Sequence, residues 1–299
     1  MPRLFSSTGG VSASAAAGGT ADILARFVSN DLAGKLGKAV LVENRTGGGG
    51  HIGSEFVAKS PADGYTLLSA GIPQAIGMSL YKDLQYDMAR DLVAITQGIT
   101  APSVIVVHPS LPVKSMKDLI ALAKARPGKL NFGANTGSPN HLAIELLNVN
   151  NNLKIVHVPY KGAGPVVTDV MAGHIELASL GLPPALPMVQ AGRLRAIAQT
   201  GLKRSGQLPD LPTVAESGVP GFSFGNYWGL LMPAGSPAAA VSRIQSEIKR
   251  LLEQPEIRQQ LENAGFFPFG STPTEYAQAL QKSYDQIGQL IKKAKITFD

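Results

Sequence analysis

Four glycine turns stand where strand-like runs give way to helix-like ones, and they are the groups in this chain best suited to chemistry. Gly48-Gly49-Gly50-His51-Ile52-Gly53 matches G-x-G-x-x-G between the strand-like VLVEN and a helical segment, the setting of a dinucleotide loop. Such a loop needs an acidic side chain about 20 residues on to hold a ribose. The next strand-like run, YTLLSAG, ends instead in Ser69, Ala70 and Gly71. The turn therefore reads as backbone N–H groups facing an anion. Gly18-Gly19-Thr20 before the helix at Ala21, Gly137-Ser138-Pro139 before Asn140, and Gly162-Ala163-Gly164 before Pro165 have the same build. In an open α/β sheet these junctions line the crevice at the strands' carboxyl ends. A helix N-terminus favours a nearby anion by about 0.3–1 kcal/mol, and a charge-assisted hydrogen bond adds roughly 1.5–3 kcal/mol. A few of these on one desolvated carboxylate reach micromolar affinity, about −8 kcal/mol, without an arginine clamp.

Catalytic constellations are thin by comparison. The five histidines, His51, His108, His141, His157 and His174, show no metal spacing such as H-E-x-x-H. Ser138 and His141 are three apart across a helix start, a conceivable nucleophile–base pair, but the arrangement reads better as an N-cap and a first-turn residue. There is no G-x-S-x-G elbow. Asp169 lies in an otherwise apolar helix, either as a solvated carboxylate or as a ligand-orienting group. Trp228, the only tryptophan, reads as core. Cysteine is absent, which excludes disulfides, thiol catalysis and iron–sulfur clusters. The net charge of +6 favours anionic partners. The basic residues form only short groups, Lys203-Arg204 and Lys292-Lys293-Ala294-Lys295, so no nucleic-acid partner is expected.

The elements that must carry these turns alternate along the chain. Apolar spacing predicts helices over 21–37, after the glycine loop of 47–60, over 74–82 and from Ser115 to Ala125. Further helices follow Ser138-Pro139, Gly164-Pro165 and Ser236-Pro237, cover 184–192 and 256–263, and close the chain after the capping box Thr272-Pro273-Thr274-Glu275. Strands are predicted over 39–44, 65–71, 91–99, 102–109, 130–134, 154–160, 175–181, 194–201 and 226–233. The βαβ alternation implies mostly parallel sheets with helices on both faces. A length of 299 residues suggests two domains. They are read as lobe I, 1–101 with 223–299, and lobe II, 102–222, joined by two crossing strands. No apolar run approaches the roughly 18 residues of a membrane span.

Several segments resemble the Bug receptors, the periplasmic solute-binding proteins of tripartite tricarboxylate transporters. They are VENRTGGGGHIGSEFVAKSPADGYTLL (42–68), GSPNHLAIELL (137–147), VHVPYKGAGPVVTDVMAGHIEL (156–177), AGRLRAIAQTGLKRSGQLPDLPTVAESGVPGF (191–222) and WGLLMPAGSP (228–237). The likeness runs from Gly18 to Asp299. It implies an α/β, type II periplasmic-binding-protein fold of two lobes closing as a clamshell on one small ligand in an interdomain cleft. It implies a carboxylate ligand held by backbone amides and ordered waters, no cofactor, no catalysis, a membrane permease as partner, a monomer and a periplasmic location. The matching ligand positions are Gly18, Gly19, Thr20, Ala21 and Asp22, then Thr136, Gly137, Ser138 and His141. Gly49, Gly50, His51 and Asp169 match other crevice positions.

The start departs from that family. Where the family has an apolar first strand, an aromatic and a proline, this chain reads GGVSASAAAGG, with Ala15 at the aromatic position. Small residues are poor strand formers. The first strand and the ligand lid are therefore expected to be compromised, and the stretch before Gly18, which holds no export signal, is read as an altered frame or mis-set start. Two other readings stand beside the receptor: a nucleotide-dependent enzyme using Gly48–Gly53, and a ligand sensor without a transport role.

Overall fold

The computed structural model describes residues 9–14, 20–81, 83–294 and 296. Gly18 and Gly19 lie outside them. The chain runs β1 (Gly9–Ala13), α1 (Thr20–Leu36), β2 (Val40–Asn44), α2 (His51–Ala58), β3 (Thr66–Gly71), α3 (Ile72–Leu80), α4 (Met88–Asp91) and β4 (Leu92–Ala101). It continues with β5 (Ser103–Val107), α5 (Met116–Ala125), β6 (Asn131–Ala134), α6 (Pro139–Asn151), β7 (Val156–Pro159), α7 (Ala163–Ala172), β8 (Leu177–Gly181), α8 (Leu182–Gln190) and β9 (Arg195–Gln199). The last elements are β10 (Asn226–Pro233), α9 (Ala238–Glu253), α10 (Pro255–Asn263), β11 (Phe267–Pro268) and α11 (Pro273–Ala294). Two compact units result. The described residues of Met1–Thr100 and Tyr227–Gly288 form the first, and those of Ala101–Asn226 and Gln289–Asp299 the second. No helix among the described residues is long and apolar enough to cross a membrane.

The first unit holds a six-stranded sheet in the order β11-β4-β10-β3-β1-β2, the second a five-stranded sheet in the order β7-β6-β8-β5-β9. Strands separated by helices pair in parallel: β1 with β2 and β3, and β6 with β7 and β8. The expectation of mostly parallel sheets needs correcting at the strands by which the chain enters each unit. β10 pairs antiparallel with β3, and β5 lies antiparallel between β8 and β9. A parallel pair requires a long crossover between its strands. The helices α1, α2, α6 and α7 supply it for their flanking strands.

The small residues of GGVSA do form a strand, contrary to expectation. β1 sits inside its sheet, with Val11 and Ala13 fully buried between β2 and β3. Strand propensity reports packing against neighbours more than backbone preference, and here small side chains suit a close approach. A Cβ on Gly53 of α2 would lie 3.1 Å from the Arg45 carbonyl and 3.3 Å from Ser12 Oγ. A bulkier β1 would push α2 off the sheet.

Local capping is as predicted at three helices. Ser115 accepts from the Asp118 amide, Ser138 from that of His141, and Thr272 exchanges bonds with Glu275. Ser236 is different. α9 starts one residue later than the cap reading requires, with Pro237 at its N-cap, and Ser236 Oγ is buried without a partner. The Ser236 amide donates to the Pro233 carbonyl, which holds the residue in the preceding turn. Trp228, expected in the core, is half-buried.

The second unit's core gathers Ile105, Phe132, Ile144, Leu177, Ile197 and Phe222 around its sheet. In the first unit Leu24 and Val28 of α1, Leu68, Ile95 and Tyr276 are fully buried, and Tyr276 donates its hydroxyl to the Ala70 carbonyl at the end of β3. These contacts fix the strand ends from which the glycine turns depart.

Candidate functional site

In the first unit Ser14 at the exit of β1, the turn after β2 and the exit of β3 meet in one buried polar cluster. Ser14, just beyond β1, donates to the Ser69 carbonyl at 2.7 Å, and Ser69 Oγ donates to the Ala21 carbonyl in the first turn of α1 at 2.8 Å. Gln74, on α3, donates to Ser14 Oγ at 3.0 Å and to the Gly49 carbonyl at 3.4 Å, and accepts from the Gly71 amide at 2.8 Å. Gly49 and Gly50 turn with φ of 67° and 95°, a conformation open to glycine and costly for other residues. The Gly50 amide is spent on the Gly47 carbonyl. The structure thus brings Ala21, Gly49 and Gly50 together. Thr20 opens α1 and is half-buried.

Asp22 and His51 take structural places. Asp22 is buried, accepts from Asn44 Nδ2 at 2.8 Å and pairs with Arg26 at 2.9 Å, so its carboxylate ties α1 to the end of β2. His51 lies beneath the turn, not on its surface. Its ring is 3% exposed and packs edge-on to Tyr81. A Cβ on Gly77 would overlap it. Its Nδ1 meets the Tyr86 hydroxyl at 2.7 Å, and Ser54 Oγ donates to the Gly50 carbonyl. His51 Nε2 is buried against Gly77 without a partner. Burial lowers the His51 pKa to about 4, so the ring is neutral.

In the second unit the junction between β6 and α6 is equally self-bonded. Gly137 turns at φ 74° and its amide donates to His141 Nδ1 at 3.1 Å. The His141 amide donates to Ser138 Oγ at 3.2 Å, and the Ser138 amide to the Asn135 carbonyl at 2.9 Å. Ser138 is therefore a cap, not a nucleophile. Thr136 is exposed at the turn's tip. The His141 ring stacks on Phe132 and lies 4.0 Å, centroid to centroid, from His157, whose Nε2 donates to the Ala134 carbonyl. Burial, helped by His157, lowers the His141 pKa to about 3. The same burial raises that of Glu145, 3.8 Å from His141 Nε2.

Asp169 accepts from Tyr160 Oη at 2.6 Å and meets His174 Nδ1 at 3.2 Å. These bonds hold its carboxyl below the usual range, and burial with the Asp169 contact pushes Tyr160 up to about 12. Its work is to brace the segment between β7 and α7. Ser103, Asn140 and Asn226, which no sequence pattern singled out, are linked instead: Asn226 Nδ2 donates to Ser103 Oγ, which donates to Asn140 Oδ1 in the first turn of α6. Among the described residues no group of three His, Asp or Glu side chains could hold a metal ion.

Both units thus present, at the carboxyl ends of their strands, turns built from neutral hydroxyls, amides and glycines, with buried histidines kept uncharged behind them. The sequence model of the tripartite tricarboxylate transporter family receptor matches residues 24–296. The chain belongs to this receptor family. BugT of Bordetella pertussis is 36% identical over 86% of the receptor and 80% of its own length. R. palustris Rpa4515, solved with adipate, is 32% identical with a TM-score of 0.81, covering 97% of the receptor and 98% of that chain. MatC of Rhodopseudomonas palustris, solved with bound malate, is 26% identical with a TM-score of 0.77, covering 95% and 98%. The fold is the two-lobed α/β architecture of periplasmic solute-binding proteins, as the sequence resemblance implied.

Proposed function

We propose that this receptor captures a small organic carboxylate at its glycine turns and delivers it to a membrane permease from the periplasm. It works as a monomer and catalyses no reaction. The observation that carries the reading is the convergence of Ala21, Gly49 and Gly50 on one buried hydrogen-bond cluster at the carboxyl end of a parallel βαβ sheet. The helix N-termini that open from these turns favour a carboxylate, while the Gly50, Gly137 and Ser138 amides and the Ser14, Ser69 and Gln74 donors are spent on internal acceptors and fix the turns' shape. Relatives solved with adipate and malate support the ligand class. On this reading the ligand positions are Gly18, Gly19, Thr20, Ala21, Gly49, Gly50, Thr136, Gly137 and Ser138. Asp22, His51, His141 and Asp169 act behind them, as supports.

The nucleotide reading has less to stand on. The end of β3 offers Ser69 and Gly71, both committed to internal bonds, where a ribose would need a carboxylate. Isothermal titration of malate, adipate, a wider carboxylate panel, NAD and ATP tests the proposal. Saturable binding of a carboxylate, with none of the nucleotides, is expected. Binding of NAD or ATP alone would overturn it.

A further inference from the structure

We infer that Gln74 is the positioning residue of the first unit's ligand turns: its carboxamide sets the geometry in which Gly49, Gly50 and the start of α1 meet a carboxylate. The inference rests on the carboxylate-receptor reading. Gln74 is 1% exposed and occupies the third position of α3. From there it reaches back to the Gly71 amide, the half of a capping box that an N3 glutamine supplies. Its other end does something a cap does not need. Nε2 spans to Ser14 Oγ and to the Gly49 carbonyl, two segments far away in sequence.

The site requires one acceptor and two donors from a single uncharged side chain, and the carboxamide supplies them. A leucine or methionine would fill the volume and leave the Gly71 N–H buried without an acceptor. Asparagine is one methylene short. The turn also rests directly on this group, because a Cβ at Gly50 would run into Gln74 Nε2 and the Ser14 carbonyl. Through Ser14 and then Ser69, the same network reaches the Ala21 carbonyl in the first turn of α1. One buried amide therefore holds in register the exits of β1 and β3 and the turn after β2.

Gln74→Glu separates positioning from mere filling. The titratable groups on the elements packed around the cluster are Asp22 of α1, paired with Arg26, His51 of α2, Tyr86, Tyr227 of β10 and Tyr276 of α11. His51 is neutral with a pKa of about 4, and burial raises Tyr86 and Tyr227 to about 12 and Tyr276 well above the usual phenol range. A change in pH response between about pH 5 and 7.5 therefore belongs to the introduced carboxyl.

The measurement is the ratio of variant to wild-type Kd for malate, adipate or whichever panel carboxylate the wild type binds, at both pH values, so that titration of the ligand cancels. For Gln74→Glu the ratio is expected to be about 10 at about pH 7.5, where a carboxylate repels the Gly49 carbonyl, and to fall to about 3 at about pH 5, where burial keeps the carboxyl protonated and its O–H restores one of the two donors. Ser14→Ala removes one partner and adds no titrating group, so its ratio should be about 3–10 and equal at both pH values. Wild-type affinity for Gln74→Glu at both pH values, or a loss that does not respond to pH, overturns the role. If Gln74→Glu does not fold, an unchanged Kd for Ser14→Ala overturns it. A wild type that binds no carboxylate sinks the receptor reading itself, and that outcome is read before either variant.

Discussion

The Gly137 amide donates to His141 Nδ1 across 3.1 Å, so a histidine in the first turn of α6 is held as the neutral Nε2–H tautomer. The arrangement couples the turn to the protonation state of a buried ring.

Acid should therefore weaken the fold before it reaches ordinary carboxylate pKa values. The folded pKa of His141 is about 3 and that of His51 about 4, both below the usual 6.5. Between those values the unfolded chain binds more protons than the folded one, so stability is full above about pH 6.5 and falls as pH drops toward the folded pKa values. The loss at about pH 5 is on the order of 2 kcal/mol per histidine. Urea unfolding at the two pH values measures it, and His141→Gln should flatten part of the slope. Equal stability at both would show that these rings stay solvated.

Glu247 should be the most salt-sensitive stabilising residue of the first unit. It is 2% exposed on α9 and pairs with Lys35 of α1 at 3.3 Å, Arg243 at 2.9 Å and Arg250 at 3.3 Å. Its partners are partly exposed and hydrate when freed, so Glu247→Gln is expected to cost about 1–2 kcal/mol rather than the 3–5 of a fully buried pair. The difference in melting temperature between the variant and the wild type should shrink in molar salt.

Two glycine-to-alanine changes in helices should move stability in opposite directions. At Gly77 of α3 the new methyl meets the His51 ring, which is itself fixed by Tyr86, and a cost of about 2 kcal/mol is expected. At Gly34 of α1 nothing lies within 4 Å of the new methyl, and helix propensity should add about 0.5–1 kcal/mol. Thermal melts of the pair check the sign. A destabilised Gly34→Ala would refute the packing account of α1.

Asp169→Asn should lower stability slightly and leave ligand affinity unchanged. Its carboxylate is committed to Tyr160 and His174 rather than to the capture turns. A tenfold change in carboxylate Kd would return Asp169 to the ligand's surroundings.

Caps and helix stops were legible because they depend on a few adjacent residues. Ser115, Ser138 and Thr272 find their amide partners within three positions, and Gly173 stops α7 at φ 75°. The antiparallel insertion of β5 and β10 was not legible, since strand direction is set by pairing with strands far away in sequence. GGVSA misled for the same reason. Its side chains are poor on a solvated strand and right for one flanked on both edges with α2 close above it.

The glycine turns could be found from sequence, but their contents could not. Nothing in IPQAIG marks Gln74, whose partners lie 60 and 25 residues away at Ser14 and Gly49. His51 carries the same letters whether it faces solvent or Gly77. Composition, periodicity and turn chemistry by themselves determined the element types, the neutral character of the glycine turns and the family likeness, because those properties are local or statistical. Only the tertiary structure decided which amides remain open and which are spent internally. A buried donor must find its acceptor in three dimensions, and in this chain that acceptor usually belongs to another element.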